Sequence, residues 1–411
     1  MNKEQFLKIW FNHGGMVVLF KVFNFFILNT LLQYYISLEE FPLYGALVYL
    51  PSVVLLLIVP KLMERTAAIN ALGRCLSLIL IVLILFATLA LTHNLLLRGL
   101  LIASAMMAFL SSLESVFFDK VTAIYCSYDD LPFAINVTRI ANTLGYILGP
   151  LIGSIFFNTL SFANLFVVSM FFVVLYRFFL YSIPWELQEN NQLQAQFHHT
   201  YHHKAPVSKY SILYLYGLNF IWLNLISIMI IPYYSLSFTV SEIGGILAVG
   251  GVGMLLGNIF SMSLLKRFDY ERFYGLTIAG LLFSLCMVAL FGSNYFLSCA
   301  FIFLGSFLSS ICYALAQFFS LSIVDTTSLS TFYGVRNFIN TLISVLLFFL
   351  LWLLVGSSFS EVLKRYFHFE QSGLMSLFFI FIGVASLVFY LVVVFYACQR
   401  KSSLLKSPSG Q

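Results

Sequence analysis

The stretch R-I-A-N-T-L-G-Y-I-L-G-P-L-I-G-S, running from Arg139 to Ser154, decides how this chain folds. Wound as a helix at about 100° per residue, it gathers Arg139, Asn142, Gly145, Gly149 and Gly153 into a sector of about 120° on one face. That face is small, polar at one end and interrupted by Pro150. Because the stretch lies inside a long apolar run, the surrounding solvent is lipid. There an arginine needs a partner and glycine offers nothing to acyl chains, so other helices must cover the face. The stretch therefore predicts a bundle.

Composition places that bundle in a membrane. Of 411 residues 61% are hydrophobic and 9% charged, whereas a soluble domain carries about 25% charged residues. Six cysteines (Cys75, Cys126, Cys286, Cys299, Cys312, Cys398) show no C-x-x-C spacing, and read as packed thiols, not as a metal site or a disulfide frame. Neither a metal nor a cofactor is expected. The first apolar run is long enough to span and has no small-residue cleavage site behind it, so it is expected to stay. The net charge of +5 has a membrane explanation and calls for no nucleic-acid partner.

Twelve apolar runs can each cross a core of about 30 Å. They lie near 14–36, 43–60, 74–93, 97–118, 132–157, 162–183, 210–234, 241–265, 272–292, 294–319, 331–356 and 373–397. With the first residues cytoplasmic, fourteen Lys and Arg fall in inside segments and three (Arg98, Lys364, Arg365) outside, which puts both termini in the cytoplasm by the positive-inside rule. The expected fold is an all-α membrane protein of twelve transmembrane helices in two pseudo-symmetric six-helix bundles. The bundles are 1–183 and 208–397, joined by a cytoplasmic linker at 184–207 and followed by a tail at 398–411. The linker carries His198, His199, His202 and His203. As a helix these could hold a metal; as a solvated linker they hold none.

The halves resemble each other. Asn24-Phe25-Phe26-Ile27-Leu28-Asn29 and Asn219-Phe220-Ile221-Trp222-Leu223-Asn224 both read N-F-x-x-L-N, 195 residues apart. Tyr34-Tyr35 is echoed by Tyr233-Tyr234, and the basic turn at Glu64-Arg65 by Lys266-Arg267. Arg139, ahead of Asn142-Thr143-Leu144, is repeated by Arg336 ahead of Asn340-Thr341-Leu342. Matches in one order at offsets of 195 to 202 argue for a duplicated six-helix unit.

On these features the chain resembles the major facilitator superfamily. Pro60-Lys61-Leu62-Met63-Glu64-Arg65 is similar to the family's G-x-L-A-D-R turn, with Pro for Gly and Glu for Asp. The fifth span resembles the antiporter signature G-x8-G-x3-G-P-x2-G-G. Gly145, Gly149, Pro150 and Gly153 match, while Asn136 and Ser154 replace its first and last glycines. The resemblance implies spans 1, 4, 7 and 10 around a central cavity, contacts of span 5 with 8 and of 2 with 11, and a lean towards export. Two departures stand. Arg98 lies at the outer edge of the fourth span, where relatives that export drugs carry a deep arginine. Span one has Lys21 and Asn24 and no acid.

Candidate site residues follow from the cost of polar groups in lipid. Lys21, Asn24, Asn29, Asn219, Asn224, Gln317 and Arg336 are expected to line a solute path, with snorkelling of Lys21 and plain interhelical packing of the amides as competing readings. Glu114 and Arg139 lie at similar depth and are expected to pair, either as a structural bridge or with Glu114 as the coupling-proton site and Asp119 behind it. Arg336, in the eleventh span, has no obvious partner in the tenth; Asp325 or a substrate anion would serve. Arg177 is expected to snorkel. Gly145, Gly149, Pro150 and Gly153 are expected to meet the glycine-rich eighth span (Gly250, Gly253, Gly257) where the halves rock. All seven histidines sit in or beside loops, so none is expected to carry a proton at mid-membrane. The 46 Phe and 23 Tyr mainly fill helix contacts, and a Phe-rich cavity would suit an amphipathic solute.

The cations Lys21, Arg139 and Arg336 outnumber Glu114, which predicts an anionic or amphipathic organic solute. The expected activity is secondary transport by a monomer in a bacterial inner membrane, directed outward and coupled to protons, with no enzyme activity. Proton-coupled uptake of a nutrient or metal-chelating anion is the alternative. A membrane sensor or scaffold acting through the histidine-rich loop is the alternative from another class.

Overall fold

A computed structural model describes residues 3–62, 67–92, 97–125, 131–159, 161–182, 209–226, 230–264, 270–323, 329–367 and 370–386. Every extended element among them is a helix. The first half comprises α1 (Lys3–Thr30), α2 (Phe41–Leu62), α3 (Ala68–Leu91), α4 (Leu97–Tyr125), α5 (Leu131–Phe156) and α6 (Phe162–Ser182). The second comprises α7 (Lys209–Asn224), followed by the short helix Ile230–Tyr234, then α8 (Val240–Leu264), α9 (Tyr270–Phe291), α10 (Tyr295–Ile323) and α11 (Leu329–Val355). A surface helix, Ser358–Phe367, leads to the apolar helix α12 (Gln371–Ser386). Eight of the described helices are long and apolar enough to cross a membrane. The chain is an integral multi-pass membrane protein.

Apolar side chains divide between two environments. Ile81, Ile84 and Leu85 on α3, Phe171 and Phe178 on α6, and Phe283 and Leu290 on α9 are exposed, a surface suited to acyl chains. Aromatic rings fill the interior: Phe23 meets Phe166, and Phe26 meets Phe157 and Phe162, with centroids 5.1 to 5.2 Å apart. Such pairs hold α1 against α6 and the turn that follows α5 by ring contact, since hydrophobic burial has no driving force in lipid.

The helix contacts repeat. α1 packs on α5 as α7 packs on α11, and α2 packs on α4 as α8 packs on α10. The halves meet through α5 with α8 and α2 with α11, the two cross-contacts that the resemblance implies.

The glycines do not serve those contacts as expected. A methyl group on Gly145 would meet Val17 at 2.6 Å, one on Gly149 the backbone of Lys21 at 3.0 Å, and one on Gly153 the ring of Phe25 at 2.7 Å. All three therefore seat α1, within the same half. Likewise Gly250, Gly253 and Gly257 face Ile302, Phe303 and Phe307 of α10, also within one half. The approach between halves uses Gly244 against Ser154 and the carbonyl of Pro150, and Gly251 against the backbone of Ile147 at 2.7 Å. A small-residue face shows that a neighbour comes close, and not which one. α1 runs parallel to α5, with Val17, Lys21 and Phe25 in step with Gly145, Gly149 and Gly153.

Candidate functional site

A cavity of about 280 Å³ lies between the halves, walled by α1, α4, α7 and α10 with contributions from α2, α5, α8 and α11. More than half of its described lining residues carry an amide or hydroxyl, and Phe20, Phe23 and Phe220 are the phenylalanines among them. Among the described residues most phenylalanines lie outside this wall, in helix contacts or on the outer surface.

Of the residues expected on the solute path, Lys21, Asn24, Asn219, Asn224 and Arg336 line the cavity, as do Glu114 and Arg139. The Nζ of Lys21 sits 3.9 Å from the centroid of the Tyr146 ring, held in the wall by a cation–π contact. Asn29 and Gln317 are buried but absent from that wall. Asn29 Nδ2 donates to the Phe25 carbonyl one turn back at 2.8 Å; five residues beyond Asn24, it has turned away from the cavity face.

The expected Glu114–Arg139 pair does not form. Glu114 Oε1 shares a hydrogen bond of 2.8 Å with His13 Nδ1 and accepts one of 3.1 Å from the Tyr176 hydroxyl. The His13 ring is stacked on Phe118 at 3.7 Å and 4°. Both members of the pair are 2% exposed. Depth along the membrane matched Glu114 to Arg139, but Glu114 faces α1 and α6 while Arg139 faces the other half. The reading of every histidine as loop-adjacent is likewise corrected for His13. α1 begins at Lys3, eleven residues before the apolar run that suggested its start, so His13 is well inside the helix.

Arg139 reaches across to the second half. Its Nη2 donates to Asn258 Oδ1 and, at 2.8 Å, to the Ser310 carbonyl. Asn258 is the hub, also accepting from Ser310 Oγ at 2.5 Å and donating to Thr143 Oγ1 at 2.7 Å. The guanidinium lies 6.0 Å from the centroid of the Tyr313 ring. Among the described residues no carboxylate pairs with Arg139, which is 4% exposed.

Arg336 makes the matching crossing in the other direction, from α11 to α4. Its Nη2 donates to Asp119 Oδ2 at 2.7 Å, and the neighbouring Asn337 Nδ2 donates to the Ser112 carbonyl at 2.9 Å. Asp119 is thus an ion-pair partner across the halves; Asp325, the partner considered from sequence, lies outside the described residues. At the opposite end Lys364 Nζ donates to Glu39 Oε1 at 3.0 Å, joining the halves there. Arg177 donates to Ser77 Oγ at 2.5 Å at the periphery. Glu64, Arg65, Lys266, Arg267 and the linker histidines also lie outside the described residues.

Asn219 and Asn224, expected on the solute path, belong to a polar lattice whose other amides were not singled out from sequence. Asn224 Nδ2 donates to Asn340 Oδ1 at 2.9 Å, Ser344 Oγ donates to Asn224 Oδ1 at 2.8 Å, and Ser309 Oγ donates to Asn219 Oδ1. Asn258, Asn337 and Asn340 carried the same signal as the charged residues: each is a polar group in an apolar run, where lipid penalises it.

Two helical halves with matching contacts close on a buried, polar, cation-bearing cavity. The fold is shared with solved transporter structures. The crystal structure of the human organic anion transporter MFSD10 (TETRAN) is similar, with a TM-score of 0.61 and 14% identity, over 92% of this chain and 99% of that one. That of an auto inhibited POT family peptide transporter is similar with a TM-score of 0.67 and 12% identity, over 94% of this chain and 96% of that one. At these identities the likeness is one of fold. No protein-family model and no curated protein sequence matches the chain.

Proposed function

We propose that this chain is a secondary active transporter that moves a small organic anion by alternating access of two six-helix halves, twelve spans in all, with both termini cytoplasmic. The carrying observation is Arg139, a buried guanidinium in the cavity wall with neutral acceptors and no carboxylate partner among the described residues. A buried charge without a counterion costs several kcal/mol, and a solute carboxylate would offset that cost. Lys21 adds a second cation to the same wall. The organic anion transporter among the similar structures supports this substrate class over a cationic or lipophilic drug.

Transport is coupled to protons through Glu114, with His13 as its partner, and runs outward, the direction favoured by the partial antiporter signature of α5. Competition in proteoliposomes, with pH gradients of either sign and a panel of organic acids, neutral solutes and cations, tests the substrate class. Organic acids are expected to compete; competition by neutral or cationic compounds alone overturns the reading. For coupling, Glu114→Gln is expected to abolish the response to the pH gradient while solute exchange persists. Gradient-driven transport by that variant at the wild-type rate would remove Glu114 from the mechanism.

A further inference from the structure

Four buried side-chain polar atoms without hydrogen-bond partners belong to residues of the cavity wall: Ser104 Oγ, Arg139 Nε, Asn219 Nδ2 and Arg336 Nη1. They come from four helices, α4, α5, α7 and α11, and from both halves. Three are donors outright and the serine hydroxyl can be one, so together they call for acceptor oxygens. A buried donor left without a partner costs about 1–3 kcal/mol. An entering solute that displaces water without replacing its hydrogen bonds therefore binds weakly.

One carboxylate cannot meet donors on four walls. A second carboxylate is not required either, because among the described residues Asp119 already neutralises Arg336 while Arg139 has no acid. What remains to be met is uncharged. Asn219 presents an amide hydrogen, Ser104 a hydroxyl, and the surrounding amide and hydroxyl wall can both donate and accept. The volume of about 280 Å³ is at the small end of ligand pockets, which run roughly 300–1,000 Å³, and suits a small solute.

We propose that the solute is a small polyhydroxylated carboxylate, a sugar-acid or hydroxy-acid type of molecule, with its carboxylate on Arg139 and its hydroxyls on Asn219 and Ser104. The inference rests on the anion reading above and narrows it. Aliphatic and aromatic monocarboxylates satisfy Arg139 and leave the other donors dry. Neutral polyols do the reverse.

Three probes of one carbon number separate these cases: gluconate, hexanoate and sorbitol, titrated against the purified full-length protein with thermal stabilisation as readout. Gluconate is expected to stabilise at a concentration at least tenfold below hexanoate, with sorbitol weaker than both. Hexanoate matching gluconate overturns the hydroxyl assignment and leaves the anion reading standing. Sorbitol matching gluconate overturns the anion reading itself, and no binding by any of the three overturns both. Ser104→Ala removes a hydroxyl without a partner and is expected to fold normally. It and Asn219→Leu should each lower gluconate affinity at least threefold and leave hexanoate unchanged. A gluconate-to-hexanoate ratio unaltered in both variants also contradicts the assignment.

Discussion

Arg139 and Arg336 lie near corresponding places in the two halves, 197 residues apart and so one residue out of the 198-residue register of Asn142-Thr143 and Asn340-Thr341, and each crosses to the opposite half. Arg336 meets a carboxylate, Asp119, at 2.7 Å; Arg139 meets the amide of Asn258 and the carbonyl of Ser310. The correspondence between Ser112 and Ser310, each contacted through its carbonyl, aligns Asp119 with Gln317. The two arginines therefore sit in different settings, an acid beside Arg336 and neutral acceptors beside Arg139. Arg336 with its counterion ties the halves together; under the proposed function Arg139, without one among the described residues, is the group that binds the solute.

The largest effect expected from breaking this comparison is on stability. Arg336→Ala strands Asp119 in a partly buried position and should cost about 3–5 kcal/mol, read as a lower unfolding temperature in detergent, with Asp119→Asn in the same chain restoring part of it. Arg139→Gln keeps hydrogen-bonding capacity towards Asn258 and Ser310 but loses the charge. It should leave unfolding nearly unchanged and weaken organic-acid binding about a hundredfold, the worth of one charge-assisted hydrogen bond at the upper end of its range.

A sharper perturbation makes the two arginines alike. Asn258→Asp supplies Arg139 with an internal carboxylate that competes with the solute, so organic-acid affinity should fall about tenfold while unfolding temperature holds or rises. The smallest effect is expected from Lys21→Gln. Its ammonium lies on the Tyr146 ring, and a cation–π contact of about 0.5–1 kcal/mol limits the loss in binding to about threefold.

The bundle and its duplication were readable from the chain, because lipid makes apolar length and polar cost explicit; the contacts of α5 with α8 and α2 with α11 came from the family resemblance. Neighbours within that bundle were less readable. Gly145, Gly149 and Gly153 marked a close approach, yet the depth and face of α1, which they seat, are set by tertiary packing. Glu114 and Arg139 were matched by depth alone, and the direction of each side chain around its helix separated them. His13 was hidden by its position ahead of the apolar run, since a polar first turn looks like a loop until the helix is seen to begin at Lys3. Asn258 sits in a glycine-rich helix whose small residues drew the reading towards packing; the penalty on an amide in lipid, applied as strictly as to an arginine, would have found it.

Counterflow of a radiolabelled organic acid tests the central claim most directly, in proteoliposomes carrying either the wild-type chain or the folded Arg139→Gln variant. The account predicts transient accumulation of label by the wild type when the lumen is preloaded with the unlabelled acid, and none by the variant. Equal accumulation by both, or counterflow supported by neutral or cationic solutes and never by acids, would contradict it.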